Sequence, residues 1–551
     1  MKKIIKYITS FIFATIATGA SAASHTAVPD TLDYNSLNSR ASAEYLQPIR
    51  PGYEGRNPFW NEFAIKFTFA PAFDFMPVDN AVVYRYTIVC DTAGREPAPG
   101  DRPVLASPRF EPVSFTTDVP HASLQSVWDS IPPSRVILTV EALDGKGNVM
   151  KEVAQRKFLR DFGFKGPYHS AVRPYREAAL KGMLFIHNLP PVQSWLTSQV
   201  PDMTYPYYAY ANKIISAIVR NEVLVSRYMP SERDKALAIA RNAADFLISN
   251  SLSDSAPLAA FPPTYYTETM AGSLAENSDA TMTMDANYAT QAFLDLFDAT
   301  GDSTYYNQAV KITRTYLKLQ RPDGSFPIKI SYITGEPLSD TGAMLHSICM
   351  VADRMRSQYG VTEFEDMRQR AERWMHDVAI QSFDMNAQFE DVSVMGLKPY
   401  ENLTNYVAAN YVRYLMAKEQ PTQADIDDAR DLMRLCEDQF VHWDYLPNVY
   451  GYHRYNTPCV MEQFRFREPV DNSASNVAGG FLALYKVCGD PLDYAKAKAL
   501  IDNMTIQQNQ QTGYLPTYWE YRNQRVNEMD MWANCALTTI ERLLEFDQMH
   551  R

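Results

Sequence analysis

Phe293-Leu294-x-Leu296-Phe297-x3-Gly301-Asp302-x3-Tyr306-x2-Ala309, ending at Gln320, is the stretch on which the reading of this 551-residue chain turns, because it recurs 188 residues later. The second copy is Phe481-Leu482-x-Leu484-Tyr485-x3-Gly489-Asp490-x3-Tyr494-x2-Ala497, ending at Gln508. A turn follows each copy, Asp323-Gly324-Ser325-Phe326-Pro327 in one and Thr512-Gly513-Tyr514-Leu515-Pro516 in the other. The apolar spacing is helical and the Gly-Asp pair links two helices, so the repeated unit is a helical hairpin. Such a unit cannot bury its apolar face alone and must stack on neighbours.

Outward from these copies, helical periodicity fills the chain after Tyr168. First members of pairs are expected at Tyr205–Val219, Asp285–Asp298, Asp340–Arg356, Asn402–Ala417, Asn472–Val487 and Glu528–Phe546. More polar second members follow at Glu232–Ser249, Ser303–Leu319, Glu363–Ala379, Ala424–Gln439 and Leu492–Gln508, with Val172–Phe185 supplying the sixth. Six hairpins closed into a ring make an (α/α)6 toroid over residues 170–551. Before it the period is two: Phe63, Ile65, Phe67 and Phe69 alternate with Ala64, Lys66 and Thr68. Further strand runs occur at Ala81–Cys90 and Arg135–Leu143, and Asp144-Gly145-Lys146-Gly147 is a hairpin turn. The predicted fold class is therefore mainly α, a toroid preceded by a small all-β sandwich domain at residues 30–160, with a linker near Asp161–Ser170.

Residues 1–22 read as a signal peptide: Lys2, Lys3 and Lys6, an apolar run from Tyr7 to Ala17, and the small-x-small site Ala20-Ser21-Ala22. Cleavage would remove three Lys and no acid, taking the formal charge from −12 to −15. The expectation is a soluble exported protein, most simply periplasmic, with no membrane insertion after cleavage because no later apolar run is long enough to span a bilayer. An acidic chain with 52 Lys+Arg against 64 Asp+Glu is a poor partner for nucleic acid. Cys90, Cys349, Cys436, Cys459, Cys488 and Cys535 form no CxxC pair, which argues for buried thiols over zinc or redox sites. P-loop, Rossmann, GxSxG, HExxH and EF-hand patterns are absent, so no cofactor and no obligatory metal is expected.

The Gly-Asp-x3-Tyr link, the Gln-x-x-Asp-Gly-x-x-Pro turn and the six-pair count resemble the six-hairpin glycosidase superfamily, and the toroidal polysaccharide lyases and uronate epimerases that share its architecture. The β segment, in Leu124, Trp128 and Val136–Leu143, resembles fibronectin type III or immunoglobulin-like modules. The first resemblance implies a carbohydrate-active enzyme with its cleft where the inner helices begin and an oligosaccharide or polysaccharide as partner. The paired aspartates of the unsaturated uronyl hydrolases do not occur in their usual surroundings here, so their roles do not carry over.

Helix amino ends expose unpaired N–H groups and favour acids. Asp279, Asp285, Asp340, Glu401, Asp471, Glu528 and Asp530 are predicted at that rim, each readable as an ordinary cap or as part of a site. The long connection Tyr450–Asp471 carries aromatics for stacking on sugars and His453, Arg454, Arg465 and Arg467 for gripping an anion. If Met461–Arg467 is extended, Glu462 shares a face with Phe464 and Phe466, which favours a neutral carboxyl as a general acid needs; the same alternation fits a plain hairpin strand. Tyr208, Glu268, Trp519 and Trp532 complete the aromatic and acidic candidates, and His442 or His453 offers a lyase-type base. The expected activity is hydrolysis of an acidic, uronate-containing oligosaccharide, with Glu462 as acid and Asp471 or Asp285 as base. A lyase or epimerase on the same toroid and a non-catalytic glycan binder are the alternatives.

Overall fold

The computed structural model of the chain describes residues 28–29, 31–50, 63–91, 110–266, 279–386, 396–444, 456–519 and 528–551. Its elements begin with α1 (Tyr34–Tyr45), then β1 (Lys66–Phe67), β2 (Ala72–Asp74), β3 (Val83–Cys90), β4 (Val113–Thr117), β5 (His121–Ser123), the one-turn α2 (Gln125–Trp128), β6 (Ser134–Leu143) and β7 (Val149–Arg160). The helical part follows as α3 (Tyr175–His187), the one-turn α4 (Pro190–Gln193), α5 (Ala211–Tyr228), α6 (Arg233–Ser249), α7 (Ala286–Thr300), α8 (Ser303–Leu319), α9 (His346–Tyr359) and α10 (Glu365–Trp374). The last helices are α11 (Asn405–Met416), α12 (Gln423–Phe440), α13 (Asp471–Cys488), α14 (Pro491–Gln507) and α15 (Ala533–Met549).

These helices pack as a closed double ring. Each of α5, α7, α9, α11, α13 and α15 lies against the next, and α15 returns to α5. Outside them α6, α8, α10, α12 and α14 each pack on the inner helix that precedes them in the chain, while α3 packs on α15. That is the (α/α)6 toroid, its first helix paired with its last. The amphipathic logic is visible in α5, which is buried along nearly its whole length because it faces both the ring interior and α6.

The repeated sequence folds into repeated geometry. Gly301 and Gly489 end α7 and α13 in the left-handed region, at φ 71° and 70°. The next residues, Asp302 and Asp490, accept N–H bonds from Thr304 and Leu492 and so start α8 and α14. Gln320 Nε2 donates to its own turn at Gly324 O (3.0 Å) and to Met367 O on α10 (2.9 Å). Gln508 Nε2 does the same to Gly513 O (3.0 Å) and to Ala178 O on α3 (2.9 Å). One amide thus ties each hairpin to the outer helix of the next.

The β segment is one five-stranded sheet, ordered β1-β7-β6-β3-β4, with β1 parallel to β7 and the other pairs antiparallel. The predicted hairpin turn is present: the Asp144 carboxylate accepts the N–H groups of Lys146 and Asn148 between β6 and β7. The β2–β5 ladder lies over one face, where Phe73 meets Phe158 and Phe75 meets Tyr86. The described residues therefore form a sheet with a small overlay rather than two comparable sheets, and the expected sandwich is not shown. Residues 51–62 and 92–109 of that segment lie outside the described part.

The segment Asp161–Ser170 is fastened to the toroid. Asp161 is buried, with Lys66 Nζ at 3.1 Å and His442 Nδ1 at 2.6 Å. Phe164 N donates to Tyr45 Oη and Asn38 Nδ2 to Gly166 O, so α1, which the sequence reading did not assign, straps this stretch. Tyr45 in turn donates to Glu437 (2.5 Å), which also receives Lys496 Nζ (2.7 Å) and Trp443 Nε1 (2.9 Å). All six cysteines are free, Cys349, Cys436, Cys459 and Cys535 being buried, Cys90 half-buried and Cys488 exposed.

Candidate functional site

Polar residues recur at helical spacing on the inner helices and all point the same way. Lys213, Ser216 and Arg220 lie along α5; Tyr406, Asn410 and Arg413 along α11; Asn472 and Asn476 on α13; Asn534, Thr538 and Glu541 on α15. With Asp285, Asn287, Tyr288 and Gln291 at α7 and His346 and Ser347 on α9, they line one central cavity. Because residues from the first turn of every inner helix line it, the mouth is at their amino ends.

The walls are hydrogen-bonded to one another. Asn476 Nδ2 donates to Asn472 Oδ1 (3.0 Å), Asn410 Nδ2 to Asn476 Oδ1 (3.0 Å) and Asn287 Nδ2 to Ser347 Oγ (3.0 Å). Tyr288 Oη and Tyr406 Oη are 3.0 Å apart. At the mouth the rings of Tyr207 and Tyr210 lie 4.3 and 5.0 Å from Trp532, with Lys213 Nζ 4.6 Å over Trp532. The floor is an ion-pair chain: Glu541 to Arg220 (2.7 Å), Arg220 to Asp295 (2.8 Å) and Asp295 to Arg354 (2.7 Å).

Two proton carriers face this space. Asp285, only 4% exposed, stands immediately before α7. His346 is the first residue of α9, its ring 5.0 Å edge-on to Tyr406, and its Nδ1 has no hydrogen-bond partner among the described residues. Burial, with Arg413 adding to it, drives the imidazole pKa down to about 3, so the ring is neutral.

Of the predicted site residues, Asp285 and the ring of Trp532 come to the cavity or its mouth. The expected convergence of acids on the rim does not occur among the described residues. Asp279 holds the turn at Ser331–Ile333, Asp340 is exposed six residues before α9, and Glu401 pairs with Arg465 at 2.7 Å. Asp530 sits in a short 3-10 turn, Glu528–Asp530, and does not line the cavity. Tyr208 is buried against Trp195 and Pro191, and Trp519 is 1% exposed. Glu268, His453 and Arg454 lie outside the described residues.

The stretch carrying Glu462 is not extended as expected. Glu462 N bonds Glu468 O and Gln463 N bonds Phe466 O, a tight turn that buries Gln463 and Phe464 and exposes Phe466. Arg467 reaches Phe63 O (3.0 Å) and stacks on Phe464, so it joins toroid to sheet. Asp471 opens α13 with its carboxyl towards Thr539 on α15, not towards the cavity. Burial first, and the nearby Glu462 charge with it, push the Asp471 pKa well up. His442 is likewise a buried partner of Asp161.

No family profile and no curated protein sequence matches the chain. Among solved structures it is similar to a family 76 glycoside hydrolase from a bovine Bacteroides thetaiotaomicron strain, at 9% identity and TM-score 0.42 over 88% of this chain and 97% of that one. It is similar to the cellobiose 2-epimerase of Spirochaeta thermophila, at 12% identity and TM-score 0.43 over 67% and 98%. It is also similar to an unsaturated glucuronyl hydrolase specific for heparin, at 9% identity and TM-score 0.42 over 68% and 98%. These likenesses assign no residue here.

Proposed function

We propose that the chain is an exported saccharide-processing enzyme, a glycoside hydrolase whose reaction takes place in the central cavity. What carries this is the lining itself: amides and hydroxyls from α5, α7, α9, α11, α13 and α15 around a buried carboxyl, with a cluster of tilted aromatic rings at the mouth. Amides both donate and accept, which matches a polyhydroxylated ligand, and aromatic faces match the apolar faces of sugar rings.

In this reading Asp285 exchanges a proton with the glycosidic oxygen at the mouth, and Glu541 supplies the second carboxyl from the floor. Glu462 and Asp471 stand outside the cavity lining, and Asp471 accepts the Asn472 N–H at the start of α13. A second reading, proton abstraction by a lyase or epimerase, is favoured by one observation: His346 stands edge-on to Tyr406 with its Nδ1 lacking a hydrogen-bond partner among the described residues.

The deciding experiment is digestion of a glycan library by protein from the periplasmic fraction, which should begin at Ala23. Hydrolysis should give new reducing ends without ultraviolet-absorbing product, and Asp285→Asn should lower turnover by about 10² to 10⁴-fold while Asp471→Asn leaves it within a few-fold. An unsaturated or epimerised product, lost in His346→Gln, would replace hydrolysis by the second reading. Glycans bound but never altered would sink both, and a chain starting at Met1 would remove export.

A further inference from the structure

Arg413 is a cation that the wall of the cavity does not neutralise. It projects from the third turn of α11 to a position shared by the central cavity and a second cavity on the opposite face of the ring, the latter bounded by Met350, Arg354, Lys486 and Glu545. Its Nη1 donates to Asn410 Oδ1 (3.2 Å), and the Asn410 amide is itself fixed by donating to Asn476. No carboxylate lies within ion-pairing distance of its guanidinium among the described residues. The acid that acts on it most, Glu541, has its Oε1 taken by Arg220 at 2.7 Å.

The neighbouring arginines differ in this respect. Arg220 is held between Asp295 and Glu541, and Arg354 between Asp295 and Asp298, so each has its charge answered. A desolvated guanidinium without a counter-ion is costly, and burial accordingly lowers the Arg413 pKa. The lining as a whole carries Lys213, Arg220 and Arg413 against Asp285 and Glu541, three basic groups to two acidic ones, in a chain whose formal charge is −12.

We propose that the ligand of the central cavity is a saccharide bearing an anionic oxygen group, carboxylate or sulfate, and that Arg413 is the residue that selects it. This rests on the reading of the cavity as a saccharide site. One edge of the planar fork is oriented by Asn410 and the rest faces the space it lines, which suits two parallel bonds to an oxyanion. Arg465 and Arg467, the candidates taken from sequence, are committed to Glu401 and to the backbone of Phe63.

Calorimetric titration of the full chain with sodium D-glucuronate, D-glucose 6-sulfate, D-glucose and sodium sulfate tests this. One acidic sugar should bind about 10 to 100-fold more tightly than glucose, the one that does so identifying the anion as carboxylate or sulfate. Arg413→Gln should bring it to the level of glucose without weakening glucose. Arg413→Lys, which keeps the charge but loses the fork, should retain only part of the preference, and it carries the test if the Gln variant unfolds. Equal binding of all three sugars, or a preference untouched in both variants, would overturn the proposal and leave the saccharide site standing. Arg413-dependent binding of sulfate with no sugar bound would overturn the saccharide reading and with it the ligand class proposed here.

Discussion

Asp438 and Asp161, both buried between sheet and toroid, titrate in opposite senses. Asp438 accepts the N–H groups of Thr68 (2.6 Å) and Phe69 (2.8 Å), but burial outweighs these and the Lys66 charge and raises its pKa to about 6. A carboxyl raised in the fold contributes stability that is complete below its unfolded pKa of about 3.9 and is lost as pH rises to about 6. For Asp161 burial alone would also raise the pKa, yet its His442 and Lys66 partners reverse that and hold it down to about 2. Its contribution is complete above about pH 4 to 5 and lost as pH falls towards 2. Asp438→Asn should therefore flatten the decline in thermal stability between about pH 4 and 6, a change of up to about 3 kcal/mol, while leaving the acid limb in place. An unchanged slope in that window would show that Asp438 is not the titrating group.

The same scale shows what sequence could and could not give of the site. Asp285 was legible because an acid before an apolar helical run is a recognisable start. Lys213, Arg220, Arg413 and Glu541 were missed, although their signal exists as a polar stripe with period 3.6 on helices whose other faces are apolar. Arg220, Arg413 and Glu541 lie in the third turns of their helices, well beyond the starts where capping acids stand. Glu462 misled because alternation over seven residues does not distinguish a strand from a tight turn that happens to bury Gln463 and Phe464.

At the scale of elements the hairpins were legible in number and order, with bounds less so: α5 runs Ala211–Tyr228 where Tyr205–Val219 was expected, because residues 206–209 form a separate 3-10 turn. Ser303–Leu319 was predicted and observed with the same bounds, its start fixed by the Gly301 stop of α7 and the Asp302 cap, which are local chemistry. α9 begins at His346 rather than Asp340, since residues 340–345 serve a loop that pairs back on Phe326–Ile328. The two glycines that close the repeated turns carry a testable consequence. Gly324 has φ 93° and a Cβ there would lie 2.4 Å from Arg370 O; Gly513 has φ 84° and a Cβ would lie 2.6 Å from Lys181 O. Alanine at either is strained in backbone and blocked by a neighbouring carbonyl, so each substitution should cost about 1 to 3 kcal/mol or more in chemical denaturation. Gly301→Ala, where nothing lies within 4 Å of a Cβ, should cost less than either. Equal losses at Gly301 and Gly513 would mean that contact with the next helix contributes nothing.

For the whole molecule the boundary between period two and period 3.6 was visible in sequence, but the attachment across it was not, because charges that meet from residues 66, 161, 438 and 442 leave no local pattern. Lys66 is fully buried with Asp161, which keeps His442 as its other partner, so Lys66→Met leaves a buried carboxyl one partner short and should cost about 1 to 3 kcal/mol. Scanning calorimetry of the intact chain should show sheet and toroid melting in one transition, lowered but not split in the variant. Two separated transitions in the unaltered protein would show that the shared network does not couple them.

The pairing of α3 with α15 gives the architecture a property that open stacks of helical hairpins lack. In a linear array the outermost repeats need polar caps, and fraying can start at either extremity. Here there is no extremity: the first helix of the array covers the last, and every hairpin is interior. Loss of α3 would uncover the side of α15 where Ile540 packs at Gly182, so it would act as damage to the middle of the ring. Topologically the chain could be opened at another turn and rejoined near α3 with each helix keeping its neighbours, and order in sequence would then cease to correspond to order around the ring.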